Sequence, residues 1–167
     1  MPEIEYIEDR METEELLESL SAPVRNWFKD KFPDFTEPQK IAIPRIMKGE
    51  HLLLCSPTGS GKTLTAFLSI IDDLVRKSLD GTLPDTVQCI YISPIKALAN
   101  DIQKNLIGPL TEIKERFLPS RAKDIKVGLR TGDTPQNERQ KMLRKPPHIL
   151  ITTPESLGLG LASKRFR

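Results

Sequence analysis

Leu52-Leu53-Leu54-Cys55-Ser56-Pro57-Thr58-Gly59-Ser60-Gly61-Lys62-Thr63-Leu64-Thr65 is the stretch whose reading decides the fold. An apolar run closes in a Gly-rich turn, then Lys-Thr, then a helix-forming segment, which is the layout of a phosphate-binding loop between a buried strand and a helix. Gly59 and Gly61 let the backbone bend so that successive N–H groups point at one anion. The helix that begins near Gly61 adds its unpaired N–H groups and the positive end of its dipole. Lys62 supplies a mobile charge for the β- and γ-phosphates, and the Thr63 hydroxyl is placed to ligate Mg²⁺. The strict pattern G-x-x-x-x-G-K-[ST] wants glycine where this chain has Ser56, and the strand–turn–helix context repairs that loss.

Around this loop the composition is ordinary. The 167 residues suffice for one compact domain, with 38% hydrophobic and 29% charged residues. No apolar run is long enough to span a bilayer, and the acidic N-terminus does not read as a signal peptide. The expectation is a cytoplasmic protein without a membrane anchor. Cys55 and Cys89 fall in expected buried strands and read as small core residues. His51 and His148 read as strand-end residues rather than ligands. The net charge of +2 hides an asymmetry: residues 1–20 hold eight acids and one base, a net of −7 that leaves +9 on the remainder. Residues 121–145 carry eight bases against three acids. A basic body with an acidic leader is weakly consistent with a polyanionic partner.

Taken in order, residues 1–12 read as a leader and Glu14–Leu20 as a short helix. Ser21 is placed to cap a second helix bearing Val24, Trp27 and Phe28. Thr36 opens a third, with Pro38 in its first turn and Gln39 three residues after the cap. His51–Cys55 is the first expected strand. The helix over residues 61–77 follows, with Leu64, Phe67, Leu68, Ile71, Leu74 and Val75 at helical spacing. Its Asp72-Asp73 pair, mid-helix, reads as a solvated face. Strands are expected at 87–93, 125–130 and 148–152. Helices are expected over 95–117, interrupted near Gly108-Pro109, over 135–143, and from Pro154 onward with Thr152 or Thr153 as cap. Strands alternating with helices imply a parallel sheet with right-handed crossovers, covered on both faces, and ligands at the carboxyl ends of the strands.

Four separated segments carry a resemblance: Phe-Thr-Glu-Pro-Gln (35–39), Ser-Pro-Thr-Gly-Ser-Gly-Lys-Thr (56–63), Ser-Pro-Ile-Lys-Ala-Leu-Ala-Asn-Asp (93–101) and Thr-Thr-Pro-Glu-Ser-Leu (152–157). Thr131-Gly132-Asp133 lies between the last two. Together they resemble the first RecA-like domain of a superfamily 2 helicase, nearest to the large helicase-related (Lhr-type) group. The resemblance implies an α/β fold of the RecA-like P-loop NTPase kind with about four strands. Residues 1–20 would be an acidic leader with a short helix, and 21–167 a partial RecA-like ATP-binding domain. It implies that Gln39 bonds the adenine edge and Phe32 packs on that base, while Ser56, Pro57, Thr58, Gly59, Ser60, Gly61, Lys62, Thr63 and Leu64 surround the phosphates of Mg²⁺-ATP. Lys62 and Thr63 would be the catalytic contribution. Pro94, Lys96, Ala97, Thr131, Gly132, Thr153, Pro154 and Glu155 would meet a nucleic-acid backbone without regard to sequence, with DNA favoured over RNA.

Such a helicase next needs an apolar strand ending in Asp-Glu, a coupling motif and a second RecA-like domain with arginine fingers, and these 167 residues contain none of them. An arginine finger alone is worth ~10³-fold or more. The expectation is therefore weak nucleotide binding and little hydrolysis by this chain alone, within a parent ATP-dependent helicase that couples hydrolysis to translocation and unwinding. The alternative is a stand-alone nucleic-acid-binding module derived from a helicase. A GTPase would show Asn-Lys-x-Asp, which is absent, and a small-molecule kinase leaves Gln39 and Thr152–Glu155 without a role.

Overall fold

The computed structural model describes residues 6–94 and 101–162. Helices α1 (Thr13–Ser19), α2 (Ala22–Lys31), α3 (Glu37–Met47) and α4 (Lys62–Leu79) come first. Strand β1 (Cys89–Ile92), a π turn (Gln103–Ile107), α5 (Gly108–Phe117), β2 (Val127–Arg130), α6 (Gln136–Arg144), β3 (Ile149–Thr152) and α7 (Pro154–Ala162) follow. The three strands are parallel in the order β1-β3-β2, with Tyr91, Ile151 and Leu129 in register.

Central strand β3 is buried on both faces, which is why it reads Ile-Leu-Ile-Thr without alternation. One face of the sheet joins a core built on α4: Phe67, Leu68, Ile71, Leu74 and Val75 meet Ile149 and Ile151, and Phe67 lies against the Tyr91 ring. Leu16, Leu17 and Leu20 of the first helical stretch enter the same core. The opposite face is less covered at the β1 edge, where Ile90 and Ile92 are nearly half exposed.

The apolar stretch His51–Cys55 is not a strand. The described sheet has three strands rather than about four, and residues 51–55 are extended but pair with none of them. Leu53 is 83% exposed and Cys55 is exposed, so the expected burial of Cys55 fails. An apolar run becomes a strand only when a neighbour takes its N–H and C=O groups, and no described backbone group does so here. Cys89, in β1, is half-buried.

Two prolines are accommodated by specific bonds. Pro44 sits inside α3 and has no N–H for the Lys40 carbonyl, and the Met11 N–H fills that place at 3.1 Å. The leader is thereby docked on α3. At Gly108-Pro109 the helix does not break: the turn before it widens to π geometry, and Gly108 N–H donates to the Gln103 carbonyl. Asp72 is likewise not a solvated residue. It is 1% exposed and accepts from the Ser21 N–H at 2.7 Å and from Arg76 Nε at 2.7 Å. Arg76 also donates to the Ser19 carbonyl. Ser21 opens α2 with this backbone bond, not with its hydroxyl. Asp73 is the exposed member of the pair and bonds Lys77.

Candidate nucleotide and nucleic-acid sites

The loop between the extended segment and α4 is shaped by two left-handed glycines, Gly59 at φ 83° and Gly61 at φ 86°. Gly61 is the N-cap of α4, so the N–H groups of Lys62, Thr63 and Leu64 have no intrahelical acceptor. The loop is braced internally by the Ser56 and Ser60 hydroxyls, 2.6 Å apart. Lys62 Nζ donates to the carbonyls of Ser56 and Pro57. Thr63 is half-buried in the first turn of α4. Leu64 is 7% exposed and belongs to the core, so only its backbone faces the loop.

Against this loop lies the start of α3. Gln39 is 3% exposed, and its Oε1 accepts from the Thr36 N–H at 2.9 Å. A Cβ added at Gly61 would stand 2.8 Å from Gln39 Nε2. The Thr36 hydroxyl donates to the Ser60 carbonyl at 2.9 Å. Thr36 and Gln39 therefore both open α3, and Thr36 bonds the glycine loop while Gln39 abuts it. The amide of Gln39 retains a second lone pair and its Nε2 hydrogens for a ligand. Phe32 is at the surface, edge-on to Trp27 and tilted on Phe28, whose ring stacks on Phe35 at 3.9 Å. Asp34, beside this aromatic group, accepts from Thr13, Lys40 and the Phe35 N–H. The Thr13 hydroxyl and then Lys40 hold its carboxyl below the usual range.

The carboxyl ends of the strands carry the other expected residues. Pro94 is exposed after β1, while Lys96 and Ala97 lie outside the described residues. Thr131 and Gly132 form a turn after β2. The Thr152 hydroxyl donates to the Arg130 carbonyl at 2.7 Å and ties the ends of β2 and β3 together. Thr153 is buried, and its hydroxyl accepts from the Ser156 N–H at 3.3 Å, capping α7. Pro154 and Glu155 are exposed in the first turn of α7. Arg139 was not singled out by the sequence. Its guanidinium donates to the carbonyls of Thr131, Gly132 and Thr134. The signal available for it was an arginine five residues after a Thr-Pro helix start, which is too common to stand alone.

Among the described residues no group of three His, Cys, Asp or Glu side chains is arranged to hold a metal ion. Thr63, unbonded through its side chain to any described residue and next to Lys62, fits a Mg²⁺ that takes one protein hydroxyl and fills its shell with water and phosphate oxygens. No helix among the described residues is long and apolar enough to cross a membrane.

A family model described as DEAD/DEAH box helicase matches residues 36–166, which takes in the loop, Gln39 and all three strand ends. The chain belongs to the DEAD/DEAH box helicase family. Its similarity to individual members is high over nearly its whole length. It is 47% identical over 99% of its residues to the ATP-dependent helicase Lhr-Core of Methanocaldococcus jannaschii, covering 20% of that protein. It is 44% identical over 93% of its residues to the Lhr helicase/uracil glycosylase of Escherichia coli, covering 11% of it. The solved structure of Mycobacterium smegmatis helicase Lhr, bound to ssDNA and AMP-PNP, superposes on 89% of the chain with a TM-score of 0.75 at 46% identity. That match covers 19% of the solved chain. The RecA-like fold of this helicase family is thus the fold of the chain. It spans a fifth or less of the length of these relatives.

Proposed function

We propose that the chain supplies the first half of an ATP-driven helicase motor: it binds Mg²⁺-ATP through residues 56–64 and Gln39, and a nucleic-acid backbone through the loops after β1, β2 and β3. The observation that supports this reading is the abutment of Gln39, in the first turn of α3, on Gly61, the N-cap of α4, an amide suited to a base edge beside a turn suited to phosphate. A bare anion loop would need no such amide. The whole protein, in this reading, works inside the cell, spends ATP on translocation and duplex unwinding, and engages nucleic acid without sequence preference. DNA is favoured over RNA, a choice supported by the ssDNA in the M. smegmatis relative. Thr63 would hold the Mg²⁺, and the ion would supply charge neutralisation between the β- and γ-phosphates. Lys62 would leave the Ser56 and Pro57 carbonyls for a phosphate oxygen, exchanging neutral acceptors for charged ones.

These 167 residues contain no Asp-Glu pair, so binding without fast turnover is expected of the chain by itself. Calorimetric titration with Mg²⁺-ATP, on the wild type and on Lys62→Ala, tests the proposal. The expected result is binding that Lys62→Ala weakens at least tenfold, a loss of one charged hydrogen-bond donor. ATPase assays with and without single-stranded DNA complete it. Binding indifferent to Lys62→Ala would refute the phosphate-loop assignment. DNA-stimulated turnover at helicase rates would show that a carboxylate within this chain already positions the attacking water.

A further inference from the structure

We infer that Arg139, from α6, is the positioning residue that makes the Thr131–Thr134 turn a two-donor site for a nucleic-acid phosphate. The inference rests on the proposed reading of the strand-end loops as the nucleic-acid face and assigns how one of them works. Arg139 Nη2 donates to the Thr131 carbonyl at 3.1 Å and to the Gly132 carbonyl at 2.6 Å, and its Nε donates to the Thr134 carbonyl at 2.8 Å. The Thr134 hydroxyl closes the turn from the other side by accepting the Thr131 N–H at 2.8 Å.

A planar, trans peptide points its N–H away from its C=O, and no peptide bond among the described residues is cis. The N–H of Gly132 shares a peptide unit with the Thr131 carbonyl, and the N–H of Asp133 shares one with the Gly132 carbonyl. With both carbonyls drawn onto one guanidinium, both N–H groups face away from it. Neither donates to any acceptor among the described residues. Nothing lies within 4 Å of the position a Cβ would take at Gly132, so the turn is open beside that residue. Two adjacent N–H groups with their carbonyls turned away form an anion-binding concavity. Arg130, at the end of β2, is near enough to Arg139 to feel its charge. Arg139 itself is committed to the three carbonyls and acts through the turn.

The test uses the ¹⁵N-labelled full chain and a fluorescent fifteen-residue oligo-dT. Oligonucleotide is expected to move the amide resonances of Gly132 and Asp133. Arg139→Ala should abolish those shifts and weaken the oligonucleotide about tenfold, the loss of charge-assisted hydrogen bonds to phosphate. The Mg²⁺-ATP affinity should hold, and so should the slope of log affinity against log salt. Arg139→Lys should not rescue, because an ammonium lacks the planar fork that spans three carbonyls. A slope smaller by about one in Arg139→Ala, with rescue by lysine, would instead make Arg139 a direct phosphate ligand and overturn the inference. Unchanged affinity would overturn it too. Should Arg139→Ala fail to fold, Thr134→Val loosens the same turn. It must weaken the oligonucleotide with the salt slope unchanged, and unchanged affinity in it refutes the inference. Failure of the wild type to bind at all would refute the nucleic-acid reading itself, a result distinct from wild-type binding that ignores Arg139.

Discussion

Gly61 must meet two demands at once, and they can be separated. Its φ of 86° is one that an L-residue adopts at a cost of about 1–2 kcal/mol. A side chain there would also press on Gln39 Nε2, which is held in place by the Thr36 N–H bond and by burial. Gly59 has a similar φ, 83°, but open space around it. Gly59→Ala should therefore lose about 1–2 kcal/mol in urea unfolding, and Gly61→Ala more. Adding Gln39→Ala to Gly61→Ala should recover the difference, since it removes the clash but not the backbone strain. Equal losses in the two single variants would mean that Gln39 yields freely and is not part of the loop. This coupling was half legible in the sequence. The Thr36-x-x-Gln39 spacing marked a helix start and the resemblance implied a base contact for the same glutamine, and one amide serves the cap and abuts the loop. Leu64 and Thr153 show the opposite case. A motif places a residue along the chain, but it does not say whether the side chain or only the backbone faces the ligand, and both side chains here turn inward.

At the scale of elements, helices were easier to read than strands for a physical reason. A helix satisfies its own backbone, so the spacing of Leu64, Phe67, Leu68, Ile71, Leu74 and Val75 was enough to define α4 and its buried face. A strand needs a partner that local sequence does not name, so His51–Cys55 looked as much a strand as Ile149–Thr152 does, and only the second is paired. Asp72 was misread for a related reason: its position in α4 was clear, but its partner lies 51 residues earlier in sequence. The bond from Ser21 N–H to Asp72, with Arg76 reaching both Asp72 and the Ser19 carbonyl, clamps the α1–α2 junction to α4. Asp72→Ala should cost about 1.5–3 kcal/mol, the loss of a buried charged acceptor that satisfies a backbone donor. Asp73→Ala, which breaks only an exposed bond to Lys77, should stay within about 0.5 kcal/mol. Urea titrations of the two variants check this, and equal effects would return Asp72 to the solvated face.

For the whole molecule, the two ends of the sheet have different chemistry. The carboxyl ends carry hydroxyls, N–H groups and basic side chains suited to phosphate, whereas the amino end of β3 buries an imidazole. His148 is fully buried, its Nδ1 accepts the Lys126 N–H at 2.9 Å, and its Nε2 has no partner among the described residues. Burial first, then the charges of Lys126 and Lys123, hold its pKa below the usual value, against the smaller opposing pull of Asp85 and Asp124. The folded chain thus keeps this histidine neutral. Above about pH 6.5, the ordinary histidine value, folded and unfolded states are both neutral there and the contribution is complete. Below it the unfolded chain takes up a proton that the folded chain refuses, so stability falls with pH until the depressed folded value is reached. Asp34, Asp85 and Glu112 are also held low, which for a carboxyl favours the charged form, chiefly by hydrogen bonds from Thr13, Lys123 and Lys31 respectively. Their contributions are lost only as pH falls below about 4, in a separate window. Urea unfolding measured between pH 7.5 and 5 should therefore show stability declining below about 6.5 in the wild type. His148→Asn, whose side-chain oxygen can still accept the Lys126 N–H, should flatten that decline while lowering stability at pH 7.5 through lost packing. A decline of the same size in the variant would place the pH dependence elsewhere, and no decline in the wild type would mean that the buried imidazole is protonated without loss.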